Sequence, residues 1–176
     1  MEKKLKVYAD RMSQPSRAVL IFCRLNGIDF EEIKIDTSKR HQLSPEYTEV
    51  GHPLNPKAAS EAEKILLSSL SILEKIWLNG DGRFLLGGFQ PSIADLSLVC
   101  ELIQLEVLDE KDRNRILSPY KKVVQWIEDT RAATNPHFEQ VHNILYRVKK
   151  KLQQQRSRDA EAGTETRNKM GRHSKM

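Results

Sequence analysis

The chain opens like an α/β domain and does not finish it. Leu5 to Ala9 is a first strand candidate, and Ser13-Gln14-Pro15-Ser16-Arg17 then introduces the apolar run Ala18 to Leu25, closed by Asn26-Gly27. Proline just inside a helix start and glycine just past its end is the usual asymmetry. Phe30 to Asp36 reads as a second strand, with Ile33 and Ile35 on one face and Glu32 and Lys34 on the other. A right-handed crossover would set the two strands parallel. Between Thr37 and Pro56 no convincing strand follows, and Pro45, Pro53 and Pro56 break a polar run. Two parallel strands are not a stable sheet on their own. The remaining stability has to come from helices.

Four amphipathic helices are predicted. Lys57 to Leu78 carries Ala62, Leu66, Leu70, Leu73 and Trp77 at helical spacing, and Asn79-Gly80 stops it. Ser92-Ile93-Ala94-Asp95 has the form of a capping box and opens a helix to Leu108 along Leu96, Val99, Ile103 and Val107. Tyr120 to Arg131 presents Tyr120, Val123, Val124 and Ile127, and Phe138, Val141, Leu145, Val148 and Leu152 continue the pattern. Such faces pack as a bundle. The expected organisation is 1–50 as a partial α/β domain, 51–155 as a helical domain and 156–176 as a disordered basic tail.

Charge separates along the same boundary. The formal charge is +5, yet ten Lys or Arg face three acids between Arg147 and Met176. The other 146 residues hold 19 basic and 21 acidic groups. A nucleic-acid-binding domain carries its basic residues on folded elements with aromatics between them, so nucleic acid is not the expected partner. With no apolar run near 18 residues and two cysteines, the sequence reads as neither a membrane protein nor a disulfide scaffold.

Ser13 is the hydroxyl with the most chemistry available to it. It stands where a strand hands over to a helix, and a helix N-terminus offers free N–H groups and a positive dipole end. That geometry favours a thiolate, the reactive form of sulfur, and a hydroxyl donor aimed at a substrate thiol would lower its pKa further. The competing reading makes Ser13 a helix cap and nothing more. Cys23 and Cys100 lie among apolar neighbours and read as buried structural thiols. His41, His52, His137, His142 and His173 make no metal-ligand spacing. Asp95 is explained by capping, Trp77 and Trp126 by packing, and Gly80-Asp81-Gly82 and Gly87-Gly88 by separate turns.

The segment Lys6-Val7-Tyr8-Ala9-Asp10-Arg11-Met12-Ser13-Gln14-Pro15-Ser16-Arg17-Ala18 resembles the start of theta-class glutathione transferases, the plant members above all. Pro53-Leu54-Asn55-Pro56-Lys57-Ala58-Ala59, Phe84-Leu85-Leu86-Gly87 and Gln90-Pro91-Ser92-Ile93-Ala94-Asp95-Leu96-Ser97-Leu98 resemble their helical domain. The likeness runs from residue 5 to about 150. It implies an α/β, thioredoxin-like N-terminal domain and an all-α C-terminal domain. It also implies detoxification by conjugating reduced glutathione, a co-substrate rather than a cofactor, to electrophiles, with reduction of organic hydroperoxides beside it.

By position, the resemblance makes Ser13 the catalytic hydroxyl on the glutathione sulfur, with Gln14 beside it and Arg17 in support. Lys39-Arg40-His41-Gln42-Leu43-Ser44 resembles a second glutathione-contacting loop, which gives His41, Gln42 and Leu43 as binding residues. Many theta members carry histidine where Gln42 stands, and here His41 precedes that position. The family pattern then departs sharply, since Glu49-Val50 passes straight to Gly51-His52-Pro53. Roughly seventy residues are missing by ordinary element lengths, with the rest of the sheet and much of the family's homodimer surface.

Two readings of activity stay open: a glutathione transferase, or a catalytically impaired, shortened isoform that binds or heterodimerises. The final Ser174-Lys175-Met176 resembles the Ser-Lys-Leu peroxisomal address, read by an import receptor. That predicts peroxisomal and cytoplasmic pools, and the basic cluster around Lys149-Lys150-Lys151 allows a nuclear one.

Overall fold

The computed structural model describes residues 5–35 and 56–173. Strand β1, Leu5–Ala9, leads through a short turn into helix α1, Gln14–Leu25, and then strand β2, Phe30–Lys34. The strands pair in parallel, with Leu5 opposite Phe30 and Ala9 opposite Lys34. Gly27 supplies the left-handed turn after α1, at φ 61°. Among the described residues the sheet has these two strands and no more. One face is poorly covered: Tyr8 is 64% exposed, and Ile35 on the same side is also exposed. Ile35 lies one residue past the end of β2, where its N–H donates to the Ala9 carbonyl.

Among the described residues five further α-helices follow, not four. They are α2, Pro56–Ile72; α3, Ile93–Leu102; α4, Glu110–Leu117; α5, Lys121–Ala133; and α6, His137–His173. The unforeseen one is α4, which buries only Ile116 and so has almost no apolar stripe to read. Its capping was legible, for Asp109 accepts from the Asp112 N–H at 2.8 Å. A π-helical turn, Leu73–Trp77, succeeds α2, and a 3-10 turn, Ile103–Val107, succeeds α3. Both irregular turns fall inside segments the periodicity reads as continuous helix.

The π turn has two effects on packing. It rotates Trp77 out of the core, to 41% exposure, against the expected packing role. It also presents Glu74, whose carboxylate accepts the Lys122 and Val123 N–H groups at 3.1 and 2.9 Å and so caps α5 from outside. Ala62, Val124 and Leu152 likewise sit at core spacing yet on the surface. The buried set joins Ala18, Leu20 and Ile21 of α1 to Leu70 and Leu73, to Leu96 and Val99 of α3, to Val123 and Trp126 of α5, and to Phe138, Val141 and Leu145 of α6. One core spans the strand–helix–strand unit and the helical layer.

The two glycine turns are a single structure. A Cβ on Gly82 would lie 2.1 Å from the Gly88 carbonyl oxygen, and one on Gly80 would lie 2.5 Å from the Gly87 Cα. The backbones of these turns therefore pack directly on each other. The last helix, α6, runs from His137 to His173. Side chains from Lys151 to Arg158 are all exposed, so helix propensity of Lys, Gln, Arg and Leu carries the backbone there.

Candidate active site

Ser13 occupies the N-cap of α1 with extended backbone, φ −78° and ψ 127°. Its carbonyl accepts the Arg17 N–H at 3.2 Å, which starts the helix. Its hydroxyl makes no side-chain capping bond. Of the two readings of this residue, the structure therefore leaves the hydroxyl uncommitted to the helix. Gln14 follows as the first helical residue, and Pro15, which has no N–H, stands in the first turn.

The turn carrying Ser13 is tied at nearly every residue. Ser13 N–H donates to the Asp10 carbonyl at 2.9 Å, and Met12 N–H to the Asp10 carboxylate at 2.8 Å. Arg17, with no exposed surface, holds the other side. One Nη donates to the carbonyls of Arg11 and Met12, both at 3.0 Å; the other donates to the Cys100 carbonyl and Gln104 Oε1 at 3.1 and 3.2 Å. Burial pulls the Arg17 guanidinium below its ordinary value; these acceptors satisfy its two Nη groups, while its buried Nε has no hydrogen-bond partner among the described residues. Arg17 thus ties the peptide before Ser13 to α3.

A second bolt was not legible in the sequence. Arg11 Nε and Nη2 donate to the two Glu32 oxygens at 2.7 and 2.6 Å, and Nη1 reaches the Gln140 carbonyl of α6 at 3.3 Å. Arg24 joins the same carboxylate at 3.1 Å. The Arg11 bond, against some opposing burial, holds Glu32 below the usual carboxylate range. Glu32 had read as one residue of a solvent face. No spacing rule connects residues 21 and 129 positions apart, so nothing short of the fold could have paired them.

Cys100 is buried, and burial pushes its thiol up to about 12, an inert group. Cys23 is buried as well. Asp95 caps α3 as the sequence suggests, in a reciprocal box with Ser92. His41, Gln42, Leu43, Ser174, Lys175 and Met176 lie outside the described residues.

With this geometry in hand, the family relationship is direct. Residues 56–129 match the family model described as "Glutathione S-transferase, C-terminal domain". The chain is 44% identical over 229 aligned residues to "Glutathione S-transferase T1" of Arabidopsis thaliana, covering 87% of this chain and 94% of that protein. It belongs to the glutathione S-transferase family, on the theta-class branch. "Glutathione S-transferase T2" of the same plant is 46% identical over 229 residues, again 87% of this chain but 39% of the relative. The chain therefore spans well under half the length of that relative. "Glutathione S-transferase theta-2" of Rattus norvegicus is 36% identical over 69 residues, 39% of this chain and 28% of the rat protein. Helices α2, α3 and α4, with most of α5, fall within the matched family domain.

Proposed function

We propose that this glutathione S-transferase family member uses Ser13 to hold the glutathione sulfur as a thiolate and deliver it to small electrophiles. The observation that carries the reading is a hydroxyl at a helix N-cap that spends no hydrogen bond on the cap, on a turn fixed by Arg17 and Arg11. A hydroxyl donor and a helix end both lower the energy of an adjacent anion. The thiolate attacks an electrophilic carbon, the leaving group departs with its electron pair, and the thiol proton passes to solvent. With an organic hydroperoxide, the sulfur takes the terminal oxygen and the alcohol is released. A second glutathione then reduces the sulfenic acid, giving the disulfide and water.

A second reading has its own support: an impaired, shortened isoform. Since 87% of 176 residues is about 153, some 76 of the 229 aligned positions in the Arabidopsis relative have no counterpart here. The two-stranded sheet with its exposed Tyr8 face fits that shortfall. Capture on glutathione resin, followed by conjugation and hydroperoxide assays, separates the two. Retention and measurable turnover support the transferase, and flow-through with no turnover supports the impaired chain.

For location, the reading is peroxisomal import through Ser174-Lys175-Met176, with cytoplasmic and nuclear pools. A fluorescent protein carrying the last ten residues should appear in peroxisomes. Diffuse signal, equal to that of a fusion lacking the last three residues, removes the proposal.

A further inference from the structure

Helix α6 carries no acidic residue between Gln140 and Arg158, a stretch that holds Arg147, Lys149, Lys150, Lys151, Arg156 and Arg158. The fold divides these cations between two faces. Lys149 pairs with Glu106, and seven residues on, Arg156 Nη2 donates to the Val107 carbonyl at 3.1 Å, so both are turned to the 3-10 turn after α3. At about 100° per residue, the opposite side of the helix belongs to Arg147, Lys150, Lys151, Gln154 and Arg158. All five are exposed, and none of the four cations has an ion pair among the described residues.

Nothing among the described residues offsets this stripe. Like charges three and four residues apart repel along a helix, as Arg147 does with Lys150 and Lys151. The helix dipole favours cations in the last turn, yet α6 runs on from Arg158 to His173. An anion from outside would relieve the repulsion at several positions at once. Its form follows from the stripe, which is linear and spans roughly 16 Å from Arg147 to Arg158 at 1.5 Å per residue. A B-form duplex offers one phosphate charge per roughly 1.7 Å of its axis, and its major groove, about 12 Å wide, admits a helix. An anionic membrane is a poorer match. A helix lying on lipid inserts the face opposite its cations, and in α6 that face is committed to the protein through Val141, Leu145, Lys149 and Arg156.

We propose that the outer face of α6 binds duplex DNA through its phosphate backbone, with Arg147, Lys150, Lys151 and Arg158 each on a phosphate and the Gln154 amide between them. No aromatic side chain stands on the stripe to stack on a base, so the contact carries no sequence preference. Basic residues on a folded element are what a nucleic-acid surface requires, and α6 supplies them where charge along the sequence alone did not. The surface uses no residue of the Ser13 turn and stands whether or not the chain turns over glutathione.

Fluorescence anisotropy of a labelled duplex of about 20 base pairs, titrated with the full chain from about 25 to 200 mM NaCl, tests this. Four phosphate contacts give an expected slope of log K against log salt of about −3.6 or steeper. Lys150→Gln with Lys151→Gln changes two exposed positions, and glutamine keeps their helix propensity. That pair should leave the melting temperature unchanged, flatten the slope by about two and weaken binding about tenfold at about 100 mM NaCl. Lys64→Gln with Lys75→Gln removes the same net charge from exposed positions on α2 and the turn after it, and should bind as the parent does. A second duplex of unrelated sequence should bind within about twofold. No saturable signal up to about 100 μM protein at about 25 mM NaCl overturns the proposal. So does parent-like binding by the Lys150 and Lys151 pair, an equal loss in the Lys64 and Lys75 pair, or a preference of about tenfold between duplexes. Tighter capture by phosphatidylserine vesicles than by the duplex at equal salt also overturns it, and would assign the stripe to lipid.

Discussion

Trp126 Nε1 donates to Asp95 Oδ1 at 2.8 Å across 31 residues of chain, inside the core. The same oxygen accepts the Leu85 N–H at 2.9 Å, and Oδ2 accepts from Ser92 N and Oγ at 2.8 and 2.6 Å. One buried carboxylate therefore starts α3, anchors the 3-10 turn Leu85–Gly87 before it and fixes the indole of α5. Asp95→Ala should cost roughly 3–5 kcal/mol, because it orphans several buried donors at once. Denaturant unfolding measures it, and a loss under 1 kcal/mol would refute the network's role.

Ser13→Ala separates chemistry from folding. With no capping bond to lose, unfolding stability should change by less than about 0.5 kcal/mol. Any glutathione turnover should fall on the order of 10²–10³, as at comparable anion-stabilising donors. Paired melting curves and conjugation rates test both halves, and an unchanged rate ends the assignment.

Arg17→Met should do the reverse, destabilising by roughly 2–4 kcal/mol through the stranded carbonyls of Arg11, Met12 and Cys100. Thermal unfolding at neutral pH reads this directly. A variant as stable as the parent would mean that these contacts do not hold the turn.

His142 makes stability fall in mild acid. It is fully buried, stacks on Phe138 at 4.1 Å between ring centroids, and faces the Phe138 carbonyl with Nδ1 at 2.8 Å. That carbonyl only accepts, so Nδ1 carries the proton of a neutral ring. Burial lowers its pKa to about 4, with Arg17 and Arg131 adding to the effect, while an unfolded histidine titrates near 6.5. Between those values the unfolded chain binds more protons, so the contribution is complete above about pH 6.5 and drains away toward pH 4. The amount is roughly 3 kcal/mol. Unfolding free energy at pH 7 and pH 5 should show this slope in the parent and lose it in His142→Leu.

Gly82→Ala should cost about 1–3 kcal/mol, since its Cβ would overlap the Gly88 carbonyl and force the two turns apart. Differential scanning calorimetry of the single variant is sufficient. A neutral effect would show that the turns separate freely.

What the sequence determined by itself was everything governed by local pattern. Proline and glycine bracketed α1, strict spacing found Leu70, Val99 and Phe138, and Ser92 with Asp95 announced α3. The place of Ser13 at the N-cap of α1 was legible because a strand-to-helix junction is a local event. Tertiary structure decided what spacing cannot encode. The π turn at Leu73–Trp77 shifts the helical phase and sends Trp77 outward, although its spacing from Leu70 and Leu73 is that of a core residue. Part-buried charges followed the same rule. Glu32 reads as a solvent residue by alternation, yet once β2 lies beside the Ser13 turn a carboxylate is what satisfies Arg11 and Arg24. Periodicity reports which face is apolar, whereas the partners of a buried charge depend on which distant segments the fold brings within hydrogen-bond reach.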